Sequence, residues 1–240
     1  MNNRIISYLE KFSILHNNQS DFRSKYSITH ALLLLTDKIQ RSIDNGSYSC
    51  GIFLDLCKAF DTVDHKNLFA KLEYCGIRGV VNDWFAFFLS SRRQFVCLPG
   101  TNSDNQTATC RVPQGSVLDS LLFLLYINDM PKCSSILEFH LFADNRNLFL
   151  NNRNILNLET NLNVELEKVS QFLYANKSSL NIEKTSFLVY HSPQRRIAYK
   201  LNLSISNMSV KSDNHVKYLG LIFDSSLNWK PYLHELSKTV

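Results

Sequence analysis

An aspartate closes a short apolar run in the stretch Gly51 to His65, GIFLDLCKAFDTVDH, and no other junction limits the possible folds of the chain as much. Ile52-Phe53-Leu54-Asp55-Leu56 carries β-branched and aromatic side chains and follows a break at Gly46, which predicts a buried strand rather than a helix. A carboxylate at the end of such a strand loses solvation unless it is paired, hydrogen-bonded or bound to a cation. Asp55 is therefore either a holder of positive charge or a solvated turn aspartate just past the strand.

A second acid of the same kind lies in Glu138 to Leu150, EFHLFADNRNLFL, where two apolar arms flank Ala143-Asp144-Asn145-Arg146. That pattern predicts a tight β-hairpin with these four residues, Asp144 among them, at its tip. With the hairpin beside the Asp55 strand in one antiparallel sheet, the two carboxylates converge on hard cations that prefer oxygen ligands, such as Mg²⁺. Such a geometry serves phosphoryl transfer.

With 45% hydrophobic and 12% aromatic residues, the 240-residue chain can bury a core and is not disordered by composition. A net charge of +5 permits a polyanionic partner without requiring one. The N-terminus lacks the order of a signal peptide, and the longest apolar run, Leu121 to Ile127, is far short of the roughly 20 residues of a membrane span. A soluble intracellular protein, nuclear or cytoplasmic and with no membrane partner, is expected. The six cysteines form no CxxC pair and match no histidine spacing, so zinc and a disulfide framework are both unsupported. They read as reduced, mostly buried thiols.

Helices are expected over Ile5 to Phe12, from an N-cap at Ser27 to a stop at Asn45-Gly46, over Lys66 to Cys75 and Val80 to Leu89, and over Val117 to Ile127. The clearest is the stripe Ile155, Leu158, Leu162, Leu166, Val169 and Leu173, too short for a coiled coil and suited to covering a sheet. Strands are expected at Gln94 to Leu98, Lys184 to Tyr190 and Val216 to Phe223, and a last helix opens at Asn228-Trp229-Lys230. Arg92-Arg93, ahead of the first of these strands, suits phosphate binding and plain solvation equally. Mixed strands and helices without a βαβ rhythm point to an α+β fold, an antiparallel sheet covered by helices.

The motifs FLDLCKAFDTVDH (53–65), VPQGSVL (112–118), LFLLYINDM (122–130), LFADN (141–145), NKSSLNIEKT (176–185) and VKYLGLIFDSSLNW (216–229) stand in an order and spacing that resemble the reverse transcriptases of non-LTR, LINE or jockey-like retrotransposons. The resemblance runs from about residue 7 to the C-terminus. It implies a right-hand polymerase of fingers and palm, with the thumb largely missing. The implied division is fingers at 1–46 and 65–114, palm at 47–64 and 115–229, and the first residues of a truncated thumb at 230–240.

What the resemblance implies for the site is RNA-directed DNA synthesis from an RNA template, a DNA primer and dNTPs, with two Mg²⁺ ions, or Mn²⁺ in their place, on Asp55 and Asp144. Phe60 matches the bulky residue that excludes a 2′-hydroxyl, and Gln114 and Gly115 match the turn that approaches the incoming nucleotide and template. Arg23 matches a fingers arginine on the triphosphate, Lys184 a lysine that protonates the leaving pyrophosphate, and Tyr218-Leu219-Gly220 the primer-grip hairpin.

The chain also departs from the pattern. Asn145 stands where the family keeps a second hairpin aspartate, Arg111 and Asp21 where it keeps glycines, and Asp119-Ser120 where it keeps Gly-Pro. Loss of one carboxylate weakens the hold on a divalent ion. With these departures, an incomplete thumb and no endonuclease or nucleic-acid-binding tail, the chain as it stands is expected to extend primers little or not at all. The alternative is a non-catalytic retrotransposon remnant that at most binds nucleic acid.

Overall fold

A computed structural model describes residues 2–19, 27–90, 93–107, 110–113, 115–142, 145–195 and 199–238. In chain order the first elements are α1 (Asn2–Lys11), α2 (Ile28–Asp44), β1 (Tyr48–Leu54), α3 (His65–Tyr74) and α4 (Val80–Ser90). Four short strands follow, β2 (Arg93–Gln94), β3 (Cys97–Leu98), β4 (Thr101–Asn102) and β5 (Gln106–Thr107), then α5 (Asp119–Ile127). Next come β6 (Glu138–Phe142), β7 (Asn145–Asn152), α6 (Ile155–Ala175) and β8 (Ser186–Tyr190). The chain ends with β9 (Ser204–Ile205), β10 (Met208–Ser209), β11 (Lys211–Ser212), β12 (His215–Tyr218), β13 (Leu221–Asp224) and α7 (Lys230–Leu236).

These elements form two compact units, one from Met1–His16, Cys57–Asp129 and Tyr174–Ser179, the other from Asn17–Leu56, Met130–Leu173 and Leu180–Val240. In the first, α5 is apolar all round and buries every residue from Leu121 to Ile127, so it must be enclosed, and α3 packs against it. Asp64 caps α3 by accepting the Asn67 N–H at 3.0 Å. Lys71, on α3, donates to the Tyr126 carbonyl and to Asp129 Oδ1, both at 2.6 Å, which satisfies an ammonium whose burial pushes its pKa down.

The second unit is built on a five-stranded sheet in the order β11-β8-β1-β7-β6, antiparallel throughout except for the short parallel edge β11-β8. β1 is its centre, and six of its seven residues are buried. Leu35 and Ile39 of α2 pack on Phe53, Phe149, Leu188 and Tyr190, which stand on one face because residues in register share a face and alternate along each strand. Gly51 is required in the middle of that face: a Cβ there would lie 3.0 Å from Tyr190 Cε2 and 3.2 Å from Asn147 Nδ2. The buried stripe of α6, from Leu158 to Leu173, is the one its periodicity predicts.

The structure corrects several expectations. The expected strand at 94–98 is interrupted, since β2 pairs with β5 while β3 pairs with β4, and Cys97 and Leu98 are exposed rather than core. Residues 216–223 are two strands, not the one that propensity suggests, because Leu219 (φ 49°) and Gly220 (φ 85°) turn the chain back in a two-residue hairpin, the hairpin the resemblance implies at 218–220. Asn145 and Arg146 belong to β7 rather than to the hairpin tip, and Arg146 is 1% exposed. Only Cys50 among the cysteines is buried, and Cys97 and Cys110 are exposed. The short strands β9 to β11 went unforeseen, being too brief to carry a period.

Candidate functional site

Asp55 follows β1 directly, half-buried, and its backbone is held on both sides. Its N–H donates to Thr185 Oγ1 at 3.2 Å, and its carbonyl accepts the Asn181 N–H at 2.9 Å. Leu56 then bridges Leu180, so the strand's pairing continues past the acid. Thr185 is fully buried, and sequence reading gave it no role, although a threonine ahead of a strand within the quoted NKSSLNIEKT motif is the signal that marks it. Thr185→Val keeps the shape but leaves the Asp55 amide without an acceptor, so it is expected to cost about 1–3 kcal/mol. Thr185→Ser should restore most of that loss in a urea titration.

β7 runs antiparallel to β1 with Leu54 opposite Arg146 as the last pair. Asp55 and Asn145 each come next after that pair, and alternation assigns both to the face opposite Leu54 and Arg146. A carboxylate and an amide oxygen thus start from neighbouring positions on one face. Asn145 is exposed and also pairs with Phe142 across the hairpin. Asp144 lies outside the described residues, as do Arg23, Gln114 and Asp21. Among the described residues no group of three His, Cys, Asp or Glu side chains is arranged to hold a metal.

Lys184 is exposed in the turn 181–184, its N–H donating to the Asn181 carbonyl at 3.2 Å. It therefore sits beside the two residues that hold the Asp55 backbone. The hairpin at Tyr218-Leu219-Gly220 belongs to the same unit. Tyr218 is an anchor: it is 3% exposed, its ring lies 5.4 Å from that of Phe53, and its hydroxyl donates to the His140 carbonyl at 3.3 Å. Leu219 and Gly220 form the turn itself.

That hairpin is tied down at its far end by Asp224, 5% exposed, whose carboxylate accepts the N–H groups of Ser226, Asn228 and Trp229 at 3.1, 3.1 and 2.8 Å. Those bonds hold a loop in which Leu227 (φ 51°) and Trp229 (φ 61°) take left-handed backbone, and they bring the Trp229 ring to 5.8 Å from Phe223.

In the other unit, Phe60 is half-buried against Phe123, with ring centroids 4.6 Å apart. Its carbonyl accepts the Val112 N–H at 3.0 Å, and the Val63 carbonyl accepts the Arg111 N–H at 3.0 Å, so the extended segment entering the 112–118 motif is laced to the segment carrying Phe60. Arg111 adopts φ 88°, a region that costs a side-chain-bearing residue about 1–2 kcal/mol and that glycine enters freely. An ion pair with Asp61 at 2.7 Å offsets part of this strain and raises the Arg111 pKa. Gly115 is exposed at φ 84° with open space where a Cβ would stand. Nearby, burial alone would raise the Asp64 carboxyl pKa, but its bonds with Lys177 and the Asn67 N–H, with the Lys177 and His65 charges, hold it below the ordinary range.

A central antiparallel sheet with an acid just past its middle strand and an amide oxygen at the start of the next fits the plan of a polymerase palm. Residues 1–223 match the family model of the reverse transcriptases (RNA-dependent DNA polymerases). The chain belongs to the reverse transcriptase family. It is 23% identical to the RNA-directed DNA polymerase from mobile element jockey of Drosophila melanogaster, over 98% of this chain and 26% of that protein. It is 25% identical to the probable RNA-directed DNA polymerase from transposon X-element of the same fly, over 97% and 26%. The chain thus spans about a quarter of the length of the curated relatives it matches.

The fold is shared with solved telomerases. A Candida tropicalis telomerase in complex with a fragment of telomeric RNA matches with a TM-score of 0.64 at 12% identity, over 95% of this chain and 36% of that one. An apo form from the same yeast, truncated from its C-terminal domain, matches with a TM-score of 0.60 at 11% identity, over 95% and 43%. Among the described residues no helix is long and apolar enough to cross a membrane.

Proposed function

We propose that this chain is the fingers-and-palm portion of a mobile-element reverse transcriptase, a portion built to work inside the cell on an RNA template, a DNA primer and dNTPs, in a copy whose catalysis Asn145 impairs. The observation that carries this reading is the Asp55 backbone clamped at the end of β1, one step beyond the Leu54-Arg146 pair and level with Asn145. The described donors suit a hard divalent ion, since Asp55 and Asn145 offer oxygens from one face, and Asp144 is assigned as the second carboxylate by the motif alone. Bound Mg²⁺, or Mn²⁺, lowers the pKa of a primer 3′-hydroxyl and neutralises the triphosphate.

The remaining roles belong to the chain itself. Phe60, fixed by Phe123 and by the Val112 bond, presents a rigid ring that excludes a 2′-hydroxyl and so selects deoxynucleotides. Gln114 and Gly115 approach nucleotide and template, with glycine leaving room for close backbone contact. Lys184 supplies a proton to departing pyrophosphate, Arg23 holds the triphosphate, and the Tyr218-Leu219-Gly220 hairpin positions the primer end. The fingers and palm assignments of 1–46, 47–64, 65–114 and 115–229, and of 230–240 to a thumb, are part of the same proposal.

A second reading, a remnant that binds nucleic acid without extending it, is favoured by Asn145 and by the strained backbone of Arg111. Primer extension decides between the two. The native chain is expected to give no extension above background on a primed RNA template with Mg²⁺. Asn145→Asp should tighten Mg²⁺ binding on the order of tenfold, because a new carboxylate beside a divalent ion at an exposed position recovers a little over 1 kcal/mol. Robust DNA synthesis by the native chain would overturn the remnant, and unchanged Mg²⁺ affinity in Asn145→Asp would remove residue 145 from the metal site.

A further inference from the structure

The turn that opens the 112–118 motif is closed by a side chain that follows it. Ser116 N–H donates to the Pro113 carbonyl at 3.3 Å, and Asp119 N–H donates to the Ser116 carbonyl at 3.2 Å. Asp119 Oδ2 accepts the Gly115 N–H at 2.8 Å, while Oδ1 accepts the Ser120 hydroxyl at 3.0 Å and the Ser120 N–H. Leu118, at the N-cap of α5, provides no side-chain cap, so the Asp119 carboxylate does that work from inside the first turn. Behind it, α5 is immobilised by burial of Leu121 to Ile127. Gly115, at φ 84° and in open space, has no packing of its own to hold it.

We propose that Asp119 is a positioning residue that holds Gly115 to the start of α5 and, by pairing with the Gly115 amide, keeps that N–H from a phosphate-bearing ligand. The second half rests on the reading above that this turn approaches the incoming nucleotide. A free backbone N–H in left-handed glycine conformation attracts anions. Here an internal anion already occupies it and repels a triphosphate. Asp119 thereby sets how weakly the turn receives a nucleotide, and neutralising it without removing its acceptor should strengthen binding.

The test uses the full chain, uniformly labelled with ¹⁵N, as native protein, Asp119→Asn and Asp119→Ala. Hydrogen exchange at the Gly115 amide is expected to accelerate at least about tenfold in Asp119→Ala and to stay within about threefold of native in Asp119→Asn, which retains an oxygen acceptor. The amides of Leu124 and Tyr126 in α5 should exchange as in the native chain, showing that the helix persists. Unchanged Gly115 exchange in Asp119→Ala with those helical amides intact overturns the proposal. If α5 loosens as well, Asp119→Asn decides, since loss of Gly115 protection there with α5 intact overturns it equally. Titration with Mg-dTTP is expected to give about fivefold to tenfold tighter binding to Asp119→Asn than to the native chain, from removal of one like charge. Equal affinity of the two overturns the repulsion of the triphosphate by Asp119, and binding to Asp119→Ala no tighter than to Asp119→Asn overturns the shielding of the amide. If Gly115 exchange responds as expected while neither protein binds Mg-dTTP, the positioning of the turn stands and the nucleotide-facing reading of the turn falls.

Discussion

Asp224→Ala is expected to destabilise the protein by about 3 kcal/mol, the largest effect of any single truncation near the hairpin at 218–220. Three backbone N–H groups, from Ser226, Asn228 and Trp229, and the Ser226 hydroxyl all converge on this one 5% exposed carboxylate. The loss is large because Leu227 and Trp229 take left-handed backbone in the loop that those bonds hold. Asp224→Asn keeps an acceptor and should cost less than half as much. The measurement is a urea titration of the three proteins, joined to hydrogen exchange at Phe223 and Trp229. If Asp224→Ala and Asp224→Asn lose the same small amount, the carboxylate is not what organises the loop. The functional consequence is direct: a loosened 224–229 loop frees one end of the hairpin proposed to position a primer.

The second large effect is pH dependence through His140. Burial pushes its imidazole pKa down from 6.5 to about 4; nearby Glu138 opposes the fall and Lys38 adds to it. Its Nε2 is shielded and finds no hydrogen-bond partner among the described residues, while Glu138 and Lys38 are paired with each other and Asn147 stands opposite on β7. A folded-state pKa below the unfolded one means that the unfolded chain takes up a proton which the folded chain refuses. The contribution to stability is therefore complete above pH 6.5 and is lost as pH falls from 6.5 toward 4, in total about 3 kcal/mol. Urea midpoints of the native protein and of His140→Gln, measured across that window, should diverge, with the native protein falling more steeply. Parallel curves would show that His140 ionises freely in the folded state. Because the Tyr218 hydroxyl bonds the His140 carbonyl, acid loosening of β6 should reach the hairpin as well.

Local chemistry determined much of this protein. The apolar run before Asp55 is a buried strand because a continuous short run with β-branched and aromatic side chains is satisfied only where both faces of a sheet are covered. The stripe from Leu158 to Leu173 is a helix because its period admits nothing else. Ser27 caps α2 as its place before an apolar period requires. The motif order, read as residues and spacing, was enough to reach the family that residues 1–223 match.

What tertiary structure alone decided are the features that depend on residues far apart in sequence. That Asp55 lies level with Asn145, and that Thr185, 130 residues away, takes the Asp55 amide, follows from the register of β1 with β7 and β8, which no local pattern encodes. The split of 94–98 arose where apolar residues with strand propensity sit in exposed positions, so that pairing partners overrode composition, whereas the reversal at Leu219 is the hairpin that the motif resemblance implies and strand propensity misses. Arg111 shows the same limit at a single residue: its backbone takes glycine's conformation because its neighbours in space, Val63 and Asp61, hold it there. Propensity is summed along the chain, whereas register, strain and the pairing of a buried polar group are set by whatever the fold brings alongside.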